Sequence, residues 1–249
     1  MASELDPVVS DATLVLVHGG QHTGACWQPT VDVIARRQPH RRVIAVDLPG
    51  RASQPGDLAT LTISQCVESV VSQIGDSCSG EVVLVGHSMA GLTLPGVVSA
   101  LGASRVRHAV YLACCVPPQG KTVVDTLRPP VSWITGVLSK RNPVSKPLPP
   151  FVAKWMFANG MSKELRQLTV EGLVSESSGI TREPVDRRGM PKVPTTWLLT
   201  KRDNSLRPAR QREFAANLGS VDEIIEIDTC HNAMMSEPEL LADLLLERC

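Results

Sequence analysis

The sequence predicts an α/β protein whose mostly parallel central sheet is flanked by helices and carries one helical lid insertion. Short apolar runs of strand length alternate with segments of helical periodicity, which is typical of a parallel sheet covered by helices. The 249 residues, 43% of them hydrophobic, are enough for one large domain with a sizeable core. The alternation breaks once, in a proline-rich stretch, and then resumes, which indicates an insertion into a single sheet.

Six strands are predicted, each a mostly apolar run bounded by glycine, proline or polar residues. They are Thr13–His18, Arg42–Asp47, Glu81–Gly86, His108–Cys115, Val193–Thr200 and Glu223–Asp228. Helices are predicted between and after them, at residues 27–37, 62–74, 89–101, 208–218 and 237–247. Strands joined by helices run parallel, so the loops that follow them meet at the carboxyl edge of the sheet.

The proline-rich stretch lies between the fourth and fifth predicted strands. Residues 117–194 hold 11 of the 19 prolines, so a regular sheet does not continue there. We therefore expect residues 1–116 and 193–249 to form the sheet core and residues 117–192 to form a mostly helical lid. A separately folding second domain is the alternative, and it is disfavoured because the alternation of strands and helices resumes.

Composition and charge exclude several classes of function. The 25 Lys and Arg residues balance 25 Asp and Glu residues, so the basic surface of a nucleic-acid-binding protein is not expected. The longest apolar runs, such as Thr13–Val17, are far shorter than the ~18 residues of a membrane span. The acidic N-terminal residues Met1–Asp6 lack the features of a signal peptide, so we expect a cytoplasmic protein that contacts neither membrane nor nucleic acid. Seven cysteines without a Cys-x-x-Cys pair predict reduced thiols.

The segment after the third predicted strand carries the most chemical information. The apolar run Val82–Val85 leads into Gly86-His87-Ser88-Met89-Ala90, and a helical pattern follows. A serine between small residues on a strand-to-helix turn is typical of a nucleophile elbow, because small neighbours let strand and helix approach closely. The strict pattern has glycine two residues after the serine, where this chain has the small residue Ala90. The alternative is an ordinary turn in which Ser88 caps the helix.

A nucleophilic serine needs a general base and a carboxylate that orients the base, and elbows of this kind use the chain order Ser, Asp, His. Asp203 follows the fifth predicted strand and His231 follows the sixth, so both loops reach the sheet edge where Ser88 lies. Asp125 and Asp228 are alternative acids. We expect Ser88, Asp203 and His231 to form a catalytic triad.

The glycines after the first predicted strand suit an oxyanion hole. In His18-Gly19-Gly20-Gln21-His22 they let the backbone turn sharply and present an N–H group to a substrate oxygen. The N–H groups of Gly20 and Met89 would together make a two-donor hole. The pattern is weak alone, and it gains weight from the nucleophile turn.

Four segments together resemble the α/β-hydrolase superfamily, and more narrowly its branch of plant methylesterases and hydroxynitrile lyases with their bacterial relatives. These segments are Leu16–Trp27, Val85–Gly91, Ala109–Ala113 and His231–Pro238. The resemblance implies a lid over the active site and neither a metal nor an organic cofactor. It covers the sheet core, whereas residues 117–192 match only in kind.

The same resemblance separates two chemistries. Hydroxynitrile lyases of this branch carry a lysine directly after the catalytic histidine and a threonine in the oxyanion loop. This chain has Asn232 at the first place and no threonine at or beside Gly20. Both departures favour ester hydrolysis. Ser88 excludes the aspartate-nucleophile mechanism of the related epoxide hydrolases and dehalogenases.

The residues therefore predict a serine esterase that cleaves a small or medium, largely apolar carboxylic ester through an acyl-enzyme. A lactone or a thioester is equally compatible with the triad. Two other hypotheses stay open, namely a carbon–carbon lyase or cyclase that uses the same triad and a non-enzymatic ligand receptor on the same fold. Nothing in the sequence indicates an oligomeric state. The residues expected to contact the substrate are Gly19, His22, Trp133, Trp155, Met156 and Met234.

Overall fold

A six-stranded sheet forms the centre of the computed structural model, which describes residues 12–51, 53–127, 129–219 and 221–249. The strands in chain order are β1 (Thr13–Val17), β2 (Val43–Val46), β3 (Val82–His87), β4 (Val106–Leu112), β5 (Val144–Ser145), β6 (Glu176–Ser177), β7 (Thr195–Thr200) and β8 (Glu223–Ile227). The sheet has the order β2-β1-β3-β4-β7-β8, and each neighbouring pair is parallel. The predicted α/β fold with a mostly parallel sheet is confirmed.

Helices connect these strands and cover both faces of the sheet. They are α1 (Gln28–Arg37), α2 (Ile63–Ser77), α3 (Leu94–Leu101), α4 (Val131–Arg141), α5 (Pro150–Phe157), α6 (Lys163–Glu171), α7 (Pro208–Leu218), α8 (Ala233–Ser236) and α9 (Pro238–Leu246). The helix predicted after the nucleophile turn is divided into a 3₁₀ helix, Ser88–Leu92, and α3. Pro95 explains the division, because a proline fits the first turn of a new helix and not the interior of a longer one.

The fourth strand differs from its predicted bounds. The expected strand His108–Cys115 begins earlier and ends at Leu112. The chain turns at Ala113, whose φ of 45° is outside the range of a strand. Beyond this turn the backbone N–H of Cys115 donates to the carbonyl of Ser88 at 2.8 Å. The segment after β4 therefore lies against the turn that carries Ser88 and does not extend the sheet.

The apolar runs of the central strands β1 and β3 are continuous because these strands are buried on both faces. Val82 and Leu84 of β3 belong to one hydrophobic cluster, together with residues of α2, α3 and α7. The alternate residues Val83 and Val85 belong to a second cluster, with residues of α1 and α9. Helices on both sides thus fix the central strand that leads to Ser88.

The chain leaves the large sheet between β4 and β7, where the prolines are concentrated. This insertion contains α4, α5 and α6, together with the antiparallel pair of β5 and β6. Helices α5 and α6 pack around a small cluster of their own, which includes Ala153, Phe157 and Leu173. The bounds 117–192 and the role of the insertion as a lid stay predictions.

Two expectations from the sequence bear on location, namely the absence of a signal peptide and the absence of a membrane span. The acidic N-terminal residues Met1–Asp6, on which the first depends, lie outside the described residues. Within the described ranges, no helix combines the length and the apolar character needed to cross a bilayer.

Candidate active site

Ser88 occupies a strained turn directly after the central strand β3. Its φ is 54°, in the left-handed region that costs energy for a residue with a side chain. Close packing around the turn explains the small residues beside it. A Cβ atom added at Gly86 would lie 2.7 Å from the side chain of Leu94, and one added at Gly91 would lie 2.5 Å from the carbonyl of Cys115. The turn therefore depends on these glycines.

The structure brings Ser88, His231 and Asp203 together as one hydrogen-bonded chain. The Nε2 atom of His231 lies 2.9 Å from Ser88 Oγ, and its Nδ1 atom lies 2.6 Å from Asp203 Oδ2. The side chains of His231 and Asp203 are 1% and 0% exposed, so water does not compete for their hydrogen bond. The alternative acids lie elsewhere, since Asp228 is exposed and pairs with Arg202, and Asp125 accepts the N–H of Thr122.

Asp203 is held by donors on both of its oxygens. Oδ1 accepts the backbone N–H groups of Ser205 and Leu206, each at 2.7 Å. Oδ2 accepts the hydroxyl of Thr200 at 2.8 Å and the amide of Gln211 at 3.3 Å, besides the ring of His231. These contacts fix the carboxylate in the orientation that meets His231. Sequence reasoning missed Thr200 and Gln211, because a threonine in a strand and a glutamine in a helix carry no distinguishing pattern.

The ring of His231 is packed between two other rings. Phe157 stacks on it at 5.6 Å between centroids, and the centroid of His87 lies 4.6 Å away. His87 Nε2 donates to the carbonyl of His231 at 3.1 Å. Burial lowers the pKa of His87 well below its usual value, and the nearby charge of His231 acts in the same direction. His87 is therefore neutral, and its hydrogen bond to the carbonyl of His231 helps to fix the position of that residue.

Gly20 and Met89 face each other beside Ser88. A Cβ atom added at Gly20 would lie 2.5 Å from Met89 Sδ. The N–H of Met89 is in the first turn of the 3₁₀ helix, where backbone donors lack partners within the helix. Gly19 packs against Ser88, since an added Cβ would lie 2.8 Å from the Cβ of Ser88.

The carbonyl of Gly20 is bound by the ring of His22, whose Nδ1 atom lies 2.7 Å away. Burial is the largest cause that lowers the pKa of His22 to about 4, so the ring is neutral near pH 7. Because the carbonyl only accepts, Nδ1 carries the proton, and Nε2 accepts from the amide of Asn232 at 3.0 Å.

A cavity of about 780 Å³ opens at Ser88 and extends beneath the insertion. Gly20, Ser88 and Met89 line one end of it. Apolar side chains form much of the remaining wall, namely Val123, Leu127, Leu138, Val144, Leu148, Met156, Phe157 and Leu206. Polar residues also contribute, among them Glu176 and Ser178. The cavity can hold an organic ligand with its polar group at Ser88.

The residues expected to contact the substrate lie at different places relative to the cavity. Met156 lines the cavity, but Trp133 and Trp155 are absent from its lining and are 71% and 56% exposed. They lie on outward-facing sides of α4 and α5, which present other residues to the cavity. His22 and Met234 are buried and are absent from the cavity lining, because the ring of His22 binds the carbonyl of Gly20 and Met234 packs in the core.

A buried ion pair between Arg51 and Glu176 also adjoins the site, and sequence reasoning missed it. The two residues are far apart in the chain, and neither belongs to a recognisable motif. Within the described residues, no group of three or more His, Cys, Asp and Glu side chains is arranged to hold a metal ion.

A parallel sheet with a serine–histidine–aspartate cluster at its carboxyl edge is the arrangement found in α/β-hydrolase folds. The model of the Alpha/beta hydrolase family matches residues 14–244, and the chain belongs to this family. The predicted resemblance is thereby confirmed.

Comparison with individual proteins points to the same family. Methylesterase 18 from Arabidopsis thaliana is 24% identical over a gapped alignment of 265 positions, which covers 96% of this chain and 97% of the relative. The carbendazim hydrolyzing esterase from Nocardioides sp. is 33% identical over 119 residues, which cover 47% of each chain. A solved extracellular alpha/beta-hydrolase from a Paenibacillus species has a TM-score of 0.83 at 21% identity, covering 95% of this chain and 98% of that chain. At this sequence identity the structural similarity supports only the assignment of the fold.

Proposed function

We propose that the chain is a serine hydrolase that cleaves carboxylic esters through an acyl-enzyme. The observation that carries the proposal is the pair of hydrogen bonds that links Ser88, His231 and Asp203 at the end of a largely apolar cavity. The names of two relatives, a methylesterase and an esterase, support the same reaction class.

In the first half-reaction, Ser88 Oγ attacks the ester carbonyl carbon while His231 Nε2 takes the hydroxyl proton. Asp203 accepts the Nδ1–H of His231, which keeps Nε2 free to receive that proton and stabilises the charged ring. Negative charge passes to the carbonyl oxygen, where the N–H groups of Gly20 and Met89 stabilise it. The intermediate collapses when His231 gives its proton to the leaving oxygen, which releases the alcohol and leaves the acyl group on Ser88.

In the second half-reaction, water replaces the alcohol. His231 takes a proton from the water molecule as its oxygen attacks the acyl carbon, and the same two N–H groups bind the second oxyanion. The bond to Ser88 Oγ then breaks, and His231 returns the proton to that oxygen. The carboxylic acid leaves, and the site is restored.

The cavity supports a small to medium apolar ester as the substrate. Its volume of about 780 Å³ is within the range of pockets that bind organic ligands. Leu138, Met156, Phe157 and Leu206 offer apolar surface to an alkyl or aryl group, and burying such a group supplies binding free energy. The methylesterase relative supports methyl esters among the candidate substrates.

A hydroxynitrile-lyase reaction receives less support from the residue that follows His231. Asn232 is fully buried, and its amide donates to His22. The side chain therefore braces the oxyanion loop and offers no cation to a cyanide ion.

We also propose the cytoplasm as the location of the protein. All seven cysteines are free thiols. This state fits a reducing compartment.

The proposal is tested by measuring turnover of aryl esters of increasing acyl length. Ser88→Ala removes the nucleophile, so we expect kcat/KM to fall by about 10³-fold or more while the melting temperature is retained. Ser178→Ala is the matched control, since it removes a hydroxyl from the same cavity without breaking the hydrogen bond between Ser88 and His231. Ser178→Ala should keep most of the activity. Retention of more than about a tenth of wild-type turnover by Ser88→Ala would contradict the proposal.

A further inference from the structure

Arg51 and Glu176 form a buried, two-pronged ion pair beside the oxyanion loop. Arg51 Nη2 lies 2.5 Å from Glu176 Oε2, and Nη1 lies 3.3 Å from Oε1. The side chains are 0% and 7% exposed. Taking both charges out of water costs free energy that the mutual attraction offsets only in part. Stability alone therefore does not account for a pair at this position, and its other contacts indicate what it does.

The carboxylate of Glu176 reaches from the insertion to the backbone of the oxyanion loop. Its Oε2 atom accepts the N–H of Gln21 at 2.9 Å. This N–H belongs to the peptide unit between Gly20 and Gln21, and the carbonyl of the same unit accepts from His22 Nδ1 at 2.7 Å. Arg51 Nε donates to the carbonyl of His22 at 3.1 Å. The side chains of Glu176 and His22 thus bind the two ends of one peptide unit, and Arg51 links Glu176 to the backbone carbonyl of His22.

The bound peptide unit is a strained one. Gln21 has a φ of 60°, which is costly for a residue with a side chain and needs surrounding contacts to persist. If the backbone relaxed at Gln21, the Gly20–Gln21 peptide unit would turn. The preceding unit, between Gly19 and Gly20, carries the N–H of Gly20 and would turn with it. A small rotation matters, because an oxyanion donor is effective only when it points at the position the oxygen will occupy.

We infer that Glu176 and Arg51 are positioning residues, which lock the Gly20–Gln21 peptide so that the N–H of Gly20 faces the oxygen of the reacting ester. The inference rests on the proposed ester hydrolysis and adds that the insertion supplies part of the oxyanion geometry. The oxyanion hole is complete only when β6 of the insertion is seated on the loop after β1.

Charge explains why Glu176 acts with Arg51 and not alone. Glu176 lines the same cavity as Ser88, and its Oε2 would lie 3.7 Å from a Cβ added at Gly20. An unpaired carboxylate there would repel the negative oxygen that forms in the transition state. The guanidinium of Arg51 offsets this charge, and Oε2 accepts both from Arg51 Nη2 and from the N–H of Gln21.

Two double variants separate the hydrogen bond to Gln21 from the ion pair. Both carry Arg51→Met, which removes the cation, and they differ only in Glu176→Gln against Glu176→Leu. Each loses the ion pair and the contact of Arg51 to His22. The leucine variant also loses the acceptor of the Gln21 and Ser177 N–H groups, so both melting temperatures are measured and the rates are compared where both variants are folded. Only the glutamine retains an oxygen that can accept the N–H of Gln21.

The measurements are single-turnover acylation by an aryl acetate and hydrogen–deuterium exchange of the Gln21 amide. We expect the leucine double variant to acylate about 10- to 100-fold more slowly than the glutamine double variant. Its Gln21 amide should also exchange faster, while the Kd for a non-reacting alcohol product is similar in the two variants. Equal acylation rates and equal exchange in the two double variants would overturn the inference.

Glu176→Asp keeps the charge and shortens the side chain, and it gives a second comparison that does not bury an unpaired cation. We expect slower acylation and faster exchange at Gln21 with a melting temperature close to that of the wild type. Wild-type acylation and exchange in this variant would also overturn the inference. The exchange measurement needs no turnover. If the wild-type chain hydrolysed no ester, the proposed function would be refuted, and the exchange rate would still show whether Glu176 binds the amide of Gln21.

Discussion

The Nδ1 atom of His231 lies 2.6 Å from Oδ2 of Asp203, and the carboxylate has no freedom to turn away. Two backbone N–H groups bind its other oxygen, and the hydroxyl of Thr200 binds Oδ2. Because these contacts fix Asp203, His231 presents Nε2 to Ser88 in a set orientation. In the mechanism we propose, preorganised contacts of this kind lower the barrier to proton transfer from the serine.

Asp203→Asn should therefore cut the rate of acylation by about 10³- to 10⁴-fold, with little change in substrate binding. An asparagine of the same shape can present its amide to the ring and stabilise the wrong tautomer of His231. The rate is measured by stopped-flow release of the phenolate from an aryl ester.

Asp228→Asn and Asp125→Asn are the matched controls for this carboxylate. Both positions carry a carboxylate outside the cluster, since Asp228 pairs with Arg202 and Asp125 binds Thr122. We expect a loss of about tenfold or less in either variant. If Asp125→Asn lost most of its activity while Asp203→Asn stayed active, the assignment of Asp203 as the acid would be wrong.

Selectivity for the size of the ester should depend on Met156 and not on its neighbour Trp155. Met156 lines the cavity, whereas Trp155 is 56% exposed on the outside of α5. Met156→Ala enlarges the cavity, so the ratio of kcat/KM for a bulky acyl ester to that for an acetate should rise severalfold. Trp155→Ala should leave this ratio unchanged. An equal shift in both variants would show that the outer face of α5 also contacts the substrate.

Packing beneath the nucleophile turn predicts opposite effects of two glycine substitutions on stability. Gly91→Ala would bring a methyl group within 2.5 Å of the Cys115 carbonyl, and we expect a loss of about 1–3 kcal/mol in the free energy of unfolding. Gly75 lies in α2 with open space around it, so Gly75→Ala should stabilise the protein by about 0.5–1 kcal/mol. Urea unfolding measures both values. A neutral Gly91→Ala would contradict the close packing.

The buried histidines predict a loss of stability in mild acid. Burial lowers the pKa of His18 to about 3 and that of His22 to about 4, and it also lowers the pKa of His87. Below about pH 6.5 the unfolded chain protonates these rings while the folded chain does not. The unfolded state then binds more protons, so the free energy of unfolding falls as the pH drops from 6.5 toward 4.

Each buried histidine should contribute a slope of about 1.4 kcal/mol per pH unit once its ring is charged in the unfolded chain. Urea unfolding at pH 7, 6 and 5 measures the slope. His22→Gln should reduce the slope by the contribution of one histidine, about 1.4 kcal/mol per pH unit. A free energy of unfolding that is constant between pH 7 and pH 5 would mean that these rings are accessible to protons in the folded state.

Local patterns predicted the sheet because its central strands β1 and β3 are buried on both faces and their residues form continuous apolar runs. The turn at Ser88 could also be recognised from local sequence, since the tight turn requires small residues next to the serine. The contacts that support the site could not be recognised in this way. Glu176 meets Gln21 across 155 residues of chain, and no periodicity or spacing marks such a pair.

The substrate contacts were hard to predict for a related physical reason. Aromatic residues in a proline-rich segment can face a cavity or the solvent, and only the packing of the helices decides which. Met156 and Trp155 are neighbours in the sequence, yet their side chains lie on different sides of α5.

The most direct test of the account is to identify the atom that becomes acylated. The wild-type protein is mixed with an aryl acetate, quenched in acid within milliseconds, digested and mapped by mass spectrometry. We predict one added acetyl group on the peptide that contains Ser88, and its accumulation should precede steady-state turnover. Turnover without an acyl adduct on Ser88, or with an adduct on another residue such as Cys115, would contradict the account.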